Sequence, residues 1–121
     1  MDVFRIFSMS EVERYFTFHG HVQYAMFRQT IMRGAIKRGI LAGATNCTDD
    51  KEKVIASFRG DSAKIDDLVN TLSSGKELNS WHAQVTAHEE NETGKKPEEH
   101  EVTTLNVDDI KWPGEVEIYI D

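Results

Sequence analysis

The chain has 121 residues, 39% of them apolar and 29% charged, with a net charge of −7 and one cysteine. That length carries one hydrophobic core and not two, and the acidic balance speaks against nucleic acid as the main partner, because phosphate backbones bind basic surfaces. No apolar run approaches the ~20 residues of a membrane span; the opening from Met1 to Phe7 lacks a basic start and a small-residue cleavage site, and Cys47 has no second cysteine to pair with, so the reading expects a cytoplasmic monomer without membrane attachment.

Residues 1–13 read as an N-terminal extension whose Val3, Phe4, Ile6 and Phe7 add or cover an edge strand. The β-formers Tyr15, Phe16, Thr17 and Phe18 predict a first strand over 14–20. A loop then enters a helix from about Phe27 to Arg38, which Gly39 stops. On the helical wheel Phe27, Ile31, Met32, Ala35 and Ile36 make one apolar stripe, and Arg28 falls inside it. Arg33, Lys37 and Arg38 read as a solvated face near the helix C-terminus. Ile40 to Asn46 is a thin second strand, weakened by Ala42, Gly43 and Ala44, and the polar cluster from Asn46 to Lys51 is a hairpin loop that holds Cys47 as a plain thiol.

Val54, Ala56 and Phe58 alternate as a third strand ending at Gly60. Asp61 or Ser62 caps a second helix carrying Ile65, Leu68, Val69 and Leu72 at i, i+3, i+4 and i+7, closing at Gly75. Trp81, Ala83, Val85 and Ala87 alternate with His82, Gln84, Thr86 and His88 as a fourth strand. The polar run from Asn91 to Glu101 predicts a mobile excursion, after which Val116, Ile118 and Ile120 bring the chain back as a last strand. The order β-α-β-β-α-β predicts an α+β, ferredoxin-like sandwich: two helices on one face of a four- to five-stranded antiparallel sheet. All of 1–121 is then a single domain, with its core at about 14–90 and the segment 91–121 extending it.

The chemistry concentrates where the first strand hands over to the first helix. Backbone N–H groups at a helix start are unpaired and sit at the positive end of the helix dipole, so such a loop suits an anion. Arg28 adds a planar cationic fork that can grip two phosphate oxygens at once. The structural alternative is an arginine that snorkels to a buried carboxylate. The run Gly20-His21-Val22-Gln23-Tyr24-Ala25-Met26-Phe27-Arg28, with Asn46 at the matching distance beyond Arg28, resembles the signature of the acylphosphatase family. Gly20, Val22, Gln23, Phe27, Arg28 and Asn46 match; Tyr24 stands where the family has glycine and Ala25 where it has valine.

That resemblance implies a hydrolase that splits the carboxyl–phosphate anhydride of a small acyl phosphate without metal or cofactor. It makes Arg28 and Asn46 the catalytic residues, with Asn46 holding the attacking water. Gly20, His21, Val22, Gln23, Tyr24, Ala25, Met26 and Phe27 form the phosphate-binding loop. The alternative is a non-catalytic module of the same fold that binds an anion or a protein, and Tyr24 supports it, because glycine serves such loops by reaching positive φ. A sheet platform for single-stranded RNA is a third reading, opposed by the acidic charge and by the lack of paired aromatics on two central strands. The histidines give no metal set: His19 and His21 have no carboxylate or thiol at ligand spacing, and His82 and His88 read as wet-face residues.

Overall fold

Alternation along the strands decides which face of the sheet is covered by helices. In the computed structural model, which describes residues 11–121, Phe16, Phe18, Val54, Ala56 and Phe58 are buried on one face of the central strands. Strand β1 runs Glu11–His21, helix α1 Phe27–Lys37, β2 Leu41–Asn46, β3 Lys53–Asp61, helix α2 Ser62–Leu72, β4 Gln84–Asn91 and β5 Val102–Thr103. The sheet is antiparallel in the order β4-β1-β3-β2-β5, with both helices packed on it in the ferredoxin-like manner. The predicted α+β class and its two-helix layer are therefore present. The extension's apolar residues Val3, Phe4, Ile6 and Phe7 lie outside the described residues.

Phe18 stands at the centre of the core: its ring meets Phe27 of α1 edge-on at 5.6 Å and lies 6.1 Å from Phe16, which in turn contacts Phe58 at 5.7 Å. Helix α1 contributes Phe27, Ile31, Met32 and Ala35, and α2 contributes Ile65, Leu68, Val69 and Leu72. Asp61 caps α2 through its side chain, bonding the N–H groups of Ala63 and Lys64. The stripe expected on α1 is narrower than drawn, for Ile36 is 45% exposed at the helix's last turn.

Three expectations for the second half of the chain are corrected. The fourth strand begins at Gln84 and not at Trp81, because the side chain of Asn79 accepts bonds from the N–H groups of both Trp81 and Ala83 and His82 takes a positive φ of 66°, which folds 79–83 into a turn. The fifth strand is Val102–Thr103 on the free edge of β2, while residues 116–120 make one bridge, Asn79 to Ile118, in place of a strand. The run from Asn91 to Glu101 is a built crossing, not an excursion. It passes over the sheet face opposite the helices: Asn91 bonds Thr17, Pro97–Glu99 forms a short 3-10 turn, and His100 lies buried on Thr45 and Ser57. The core follows the chain, with Val102, Val107 and Ile120 joining it.

This crossing accounts for the thinness of β2. A Cβ on Gly43 would run into the carbonyl oxygen of Pro97 and come within 2.7 Å of the His100 ring, so only glycine lets the crossing lie flat. The ring nitrogens of His100 sit 2.9 Å from Thr45 Oγ1 and 2.7 Å from Ser57 Oγ. Burial, with the Lys95 charge adding to it, pushes the His100 imidazole below the usual histidine range.

The neutral form is thus favoured by folding, and His100 contributes stability that is complete above the unfolded pKa of about 6.5 and is lost as pH falls below it towards the folded value. Urea midpoints of the wild type should fall between pH 7.5 and pH 5. In His100→Gln, which lacks this titration, the fall should be shallower by up to about 1.4 kcal/mol per pH unit. Parallel pH profiles for the two proteins would show that His100 is not the titrating group.

Candidate active site

The loop between β1 and α1 opens where β1 stops pairing regularly. The register with β4 shifts between His19 and Gly20, and Gly20 takes φ +136°, where a Cβ would collide with the Gln84 carbonyl and sit 2.9 Å from the Thr86 nitrogen. Past it, Tyr24 and Met26 hold left-handed φ values of 60° and 56°. Tyr24 therefore adopts the conformation for which glycine is the natural residue, and its ring is 80% exposed, turned outward. Among the described residues no backbone or side-chain acceptor takes the amide N–H of any residue from Gln23 to Arg28. These amides lie at the start of an eleven-residue helix, the arrangement that favours an anion.

A cleft of about 300 Å³ lies over this loop, lined by Val22, Tyr24, Met26, Phe27, Arg28 and Asn46 together with Trp81, Trp112 and Pro113. The structure thus brings the two candidate catalytic residues to one opening. Arg28 is not the buried fork that the helical wheel suggested. It keeps 23% of its side chain exposed and makes a single 3.0 Å contact from Nη1 to the exposed Glu101 Oε2. Asn46, the last residue of β2, holds its Oδ1 inside the protein with no hydrogen-bond partner among the described residues. The residue as a whole lines the cleft, so its side-chain amide stands beside the opening with bonding capacity unused.

Four of the predicted loop residues do not line the cleft. Gly20 and His21 belong to β1, where they pair with Val85 and Gln84. The side chain of Gln23 turns away from the opening: its Nε2 lies 2.9 Å, 2.9 Å and 2.7 Å from the carbonyl oxygens of Cys47, Asp50 and Lys53. Gln23 is thus a clamp on the β2–β3 hairpin that carries Asn46. With Gly20 N–H donating to Glu52 O at 2.9 Å, it fixes that hairpin against the loop. Ala25 is fully buried, and its carbonyl is held from behind.

That hold comes from Asn79, a residue with no obvious chemistry in sequence. Asn79 is fully buried and uses its whole amide: Nδ2 donates to Ala25 O and to Thr30 Oγ1, both at 2.8 Å, while Oδ1 accepts from the backbone of Trp81 and Ala83. Thr30 Oγ1 in turn donates to Met26 O at 2.9 Å. The carbonyls of Ala25 and Met26 are thereby fixed inward. An asparagine two residues before a tryptophan, in a polar connection, is an Asx-turn signal that could have ended the fourth strand early. No pattern in the sequence pointed to Trp112 or Pro113. The histidines serve elsewhere: His19 faces Glu89, His82 faces Glu77, and among the described residues no three His, Cys, Asp or Glu side chains converge as metal ligands would.

Comparison with known proteins bears on the family and the fold. The family model described as Acylphosphatase matches residues 14–104, well over half of the chain. The chain belongs to the acylphosphatase family. Among solved structures it is similar to an acylphosphatase from Coxiella burnetii, at 21% identity and a TM-score of 0.60, over 72% of this chain and 85% of that one. At that identity the likeness speaks for the fold. No curated protein matches the chain. Within the family's span lie Arg28, Asn46 and the loop; Trp112 and Pro113 lie beyond it.

Replacing Asn79 by Ala would leave two inward carbonyl and hydroxyl acceptors and two backbone donors without their partner. At about 1 kcal/mol per bond, and more where a buried group stays unpaired, the expected loss is about 2–4 kcal/mol in chemical denaturation. A loss under about 0.5 kcal/mol would mean that the turn and loop hold their shape without it.

Proposed function

We propose that this chain hydrolyses acyl phosphates, releasing a carboxylate and inorganic phosphate. The observation that carries the reading is the presence at one cleft of the loop with its unpaired amides, of Arg28 and of Asn46, whose side-chain amide keeps an unused acceptor. Family membership supports it. In this reading the loop amides and Arg28 hold the phosphoryl oxygens, and Asn46 holds the attacking water through its side-chain amide.

The new bond joins the water oxygen to phosphorus, and the bond that breaks joins phosphorus to the acyl oxygen, whose electron pair leaves with the carboxylate. A carboxylate is a weak base and leaves without a general acid. The proton of the water passes to a phosphate oxygen or to solvent, since an amide is no base near neutral pH. Catalysis then consists of positioning and charge stabilisation. Arg28 must exchange Glu101 for the phosphate, and an exposed ion pair of this kind contributes at most about 1 kcal/mol, so the exchange is cheap.

The second reading, a non-catalytic anion-binding module, draws on the Arg28–Glu101 pair, which gives the site arginine a counter-ion of its own. Phosphate release from benzoyl phosphate by the purified chain separates the two readings.

For Arg28→Ala the expected loss in kcat/KM is at least about 100- to 1000-fold, the usual effect of removing one main charge-stabilising donor. Its thermal transition should stay close to wild type, because the lost ion pair is exposed. Near wild-type turnover in that variant would remove Arg28 from the mechanism.

Asn46→Ala should lower kcat strongly while KM changes little, because the phosphate contacts lie on the loop and Arg28. A defect confined to KM would make Asn46 a binding residue and leave the water unassigned.

A further inference from the structure

Besides Arg28 and Asn46 the cleft has an apolar lining of Trp81, Trp112 and Pro113, and its volume of about 300 Å³, the lower end of the range for small-ligand sites, is well beyond the needs of phosphate alone. We propose that this wall is the acyl-group subsite, and that it selects acyl phosphates with a flat aromatic acyl group over those with a small one. The inference rests on the hydrolase reading above.

Both indoles are already committed at their polar edge. Trp81 Nε1 donates to Glu115 O at 2.7 Å, and Trp112 Nε1 donates to Val107 O at 3.0 Å. Each ring is thereby oriented, and neither has an N–H left to offer a polar acyl chain. What remains is ring carbon, which suits a second aromatic ring through stacking or edge contacts. The wall is also held firmly. Trp81 follows the Asn79 turn, and the segment around Glu115 is zipped to it by Ser80 N–H to Glu117 O at 2.8 Å and Tyr119 N–H to Leu78 O at 2.9 Å. Arg33 of α1 bonds Asp108 at 2.7 Å, tying the approach to Trp112 onto the helix whose start forms the phosphate end. Trp112 and Pro113 lie outside the residues matched to the family, so this part of the cleft is this chain's own addition to the shared phosphate loop.

The test compares benzoyl phosphate with acetyl phosphate on the full chain, with each kcat/KM divided by the substrate's spontaneous hydrolysis rate. The expected preference for benzoyl phosphate is about 10- to 100-fold, the discrimination an apolar pocket gives between groups that fill it and groups that do not. Trp112→Ala should move that ratio towards one, with most of the loss on benzoyl phosphate. If that variant shows no cooperative thermal transition, Trp112→Leu, which keeps apolar bulk without a flat face, is read in its place and should also lower the ratio. Equal normalised rates for the two substrates in the wild type, or a ratio untouched in the folded Trp112 variant, would overturn the subsite while leaving the hydrolase standing. Absence of phosphate release from both substrates would overturn the hydrolase reading and the subsite with it.

Discussion

Between Val22 and Phe27 the backbone must turn from a strand into a helix with its amides outward, and it does so with Tyr24 and Met26 both in the left-handed region. That conformation costs roughly 1–2 kcal/mol for each residue that bears a Cβ, so the loop cannot be held by its own preferences. Its inward carbonyls are held instead by side chains from elsewhere: Asn79 bonds Ala25 O and Thr30 bonds Met26 O. With the carbonyls taken inward, the N–H groups of the same trans peptide planes point the opposite way, and no protein acceptor among the described residues takes them. The site is therefore made by buried polar contacts on the side of the loop that no substrate touches, each of about 1 kcal/mol in net terms and more costly when half-broken.

The same logic places Asn46. The β2–β3 hairpin could swing on its own, but the Gln23 amide lies among three of its carbonyl oxygens and Gly20 N–H bonds Glu52 O. Gln23 carries the family resemblance as strongly as Arg28 does, yet its side chain works on the opposite side of the loop. A matching residue in a motif need not touch what the motif binds. The crossing from Asn91 to Glu101 adds a second constraint, because it lies over Thr17, Thr45 and Ser57 and occupies the sheet face that an RNA platform would require. It then delivers Glu101 to Arg28.

How much of this was legible follows from where the signals are local. Strand alternation in Phe16 and Phe18, the Val54-Ala56-Phe58 pattern, the Asp61 cap and the helical spacing of Ile65 to Leu72 each act within a few residues, and all of them stand in the structure. That Arg28 and Asn46 come to one opening was legible through the spacing of the motif. What could not be read depends on partners distant in sequence. Trp81 alternates correctly for a strand, but Asn79 captures its N–H and ends the pattern. The run from Asn91 to Glu101 is polar enough for a mobile loop, and it is fixed by contacts with β1, β2 and β3, including a glycine that the thin β2 carries for this crossing. The last alternation, Val116 to Ile120, meets a turn and not a strand edge, so it pairs at one position.

Tyr24 shows why a substitution at a glycine position need not end the site. The cost of φ 60° is offset by the loop's inward partners, and the side chain is largely exposed where it lines the cleft. The steric objection to a Cβ in a phosphate loop applies when the Cβ points at the ligand. Here the side chain is 80% exposed and lines the same cleft as Trp81 and Trp112. The departure from glycine and the residues beyond the family match, Trp112 and Pro113, thus meet at one cleft. An acidic protein of net charge −7 repels anions at long range, so in the proposed reaction short-range contacts would hold the substrate. An apolar hold on the acyl group is not screened by salt and does not depend on that charge, whereas the Arg28 contact does.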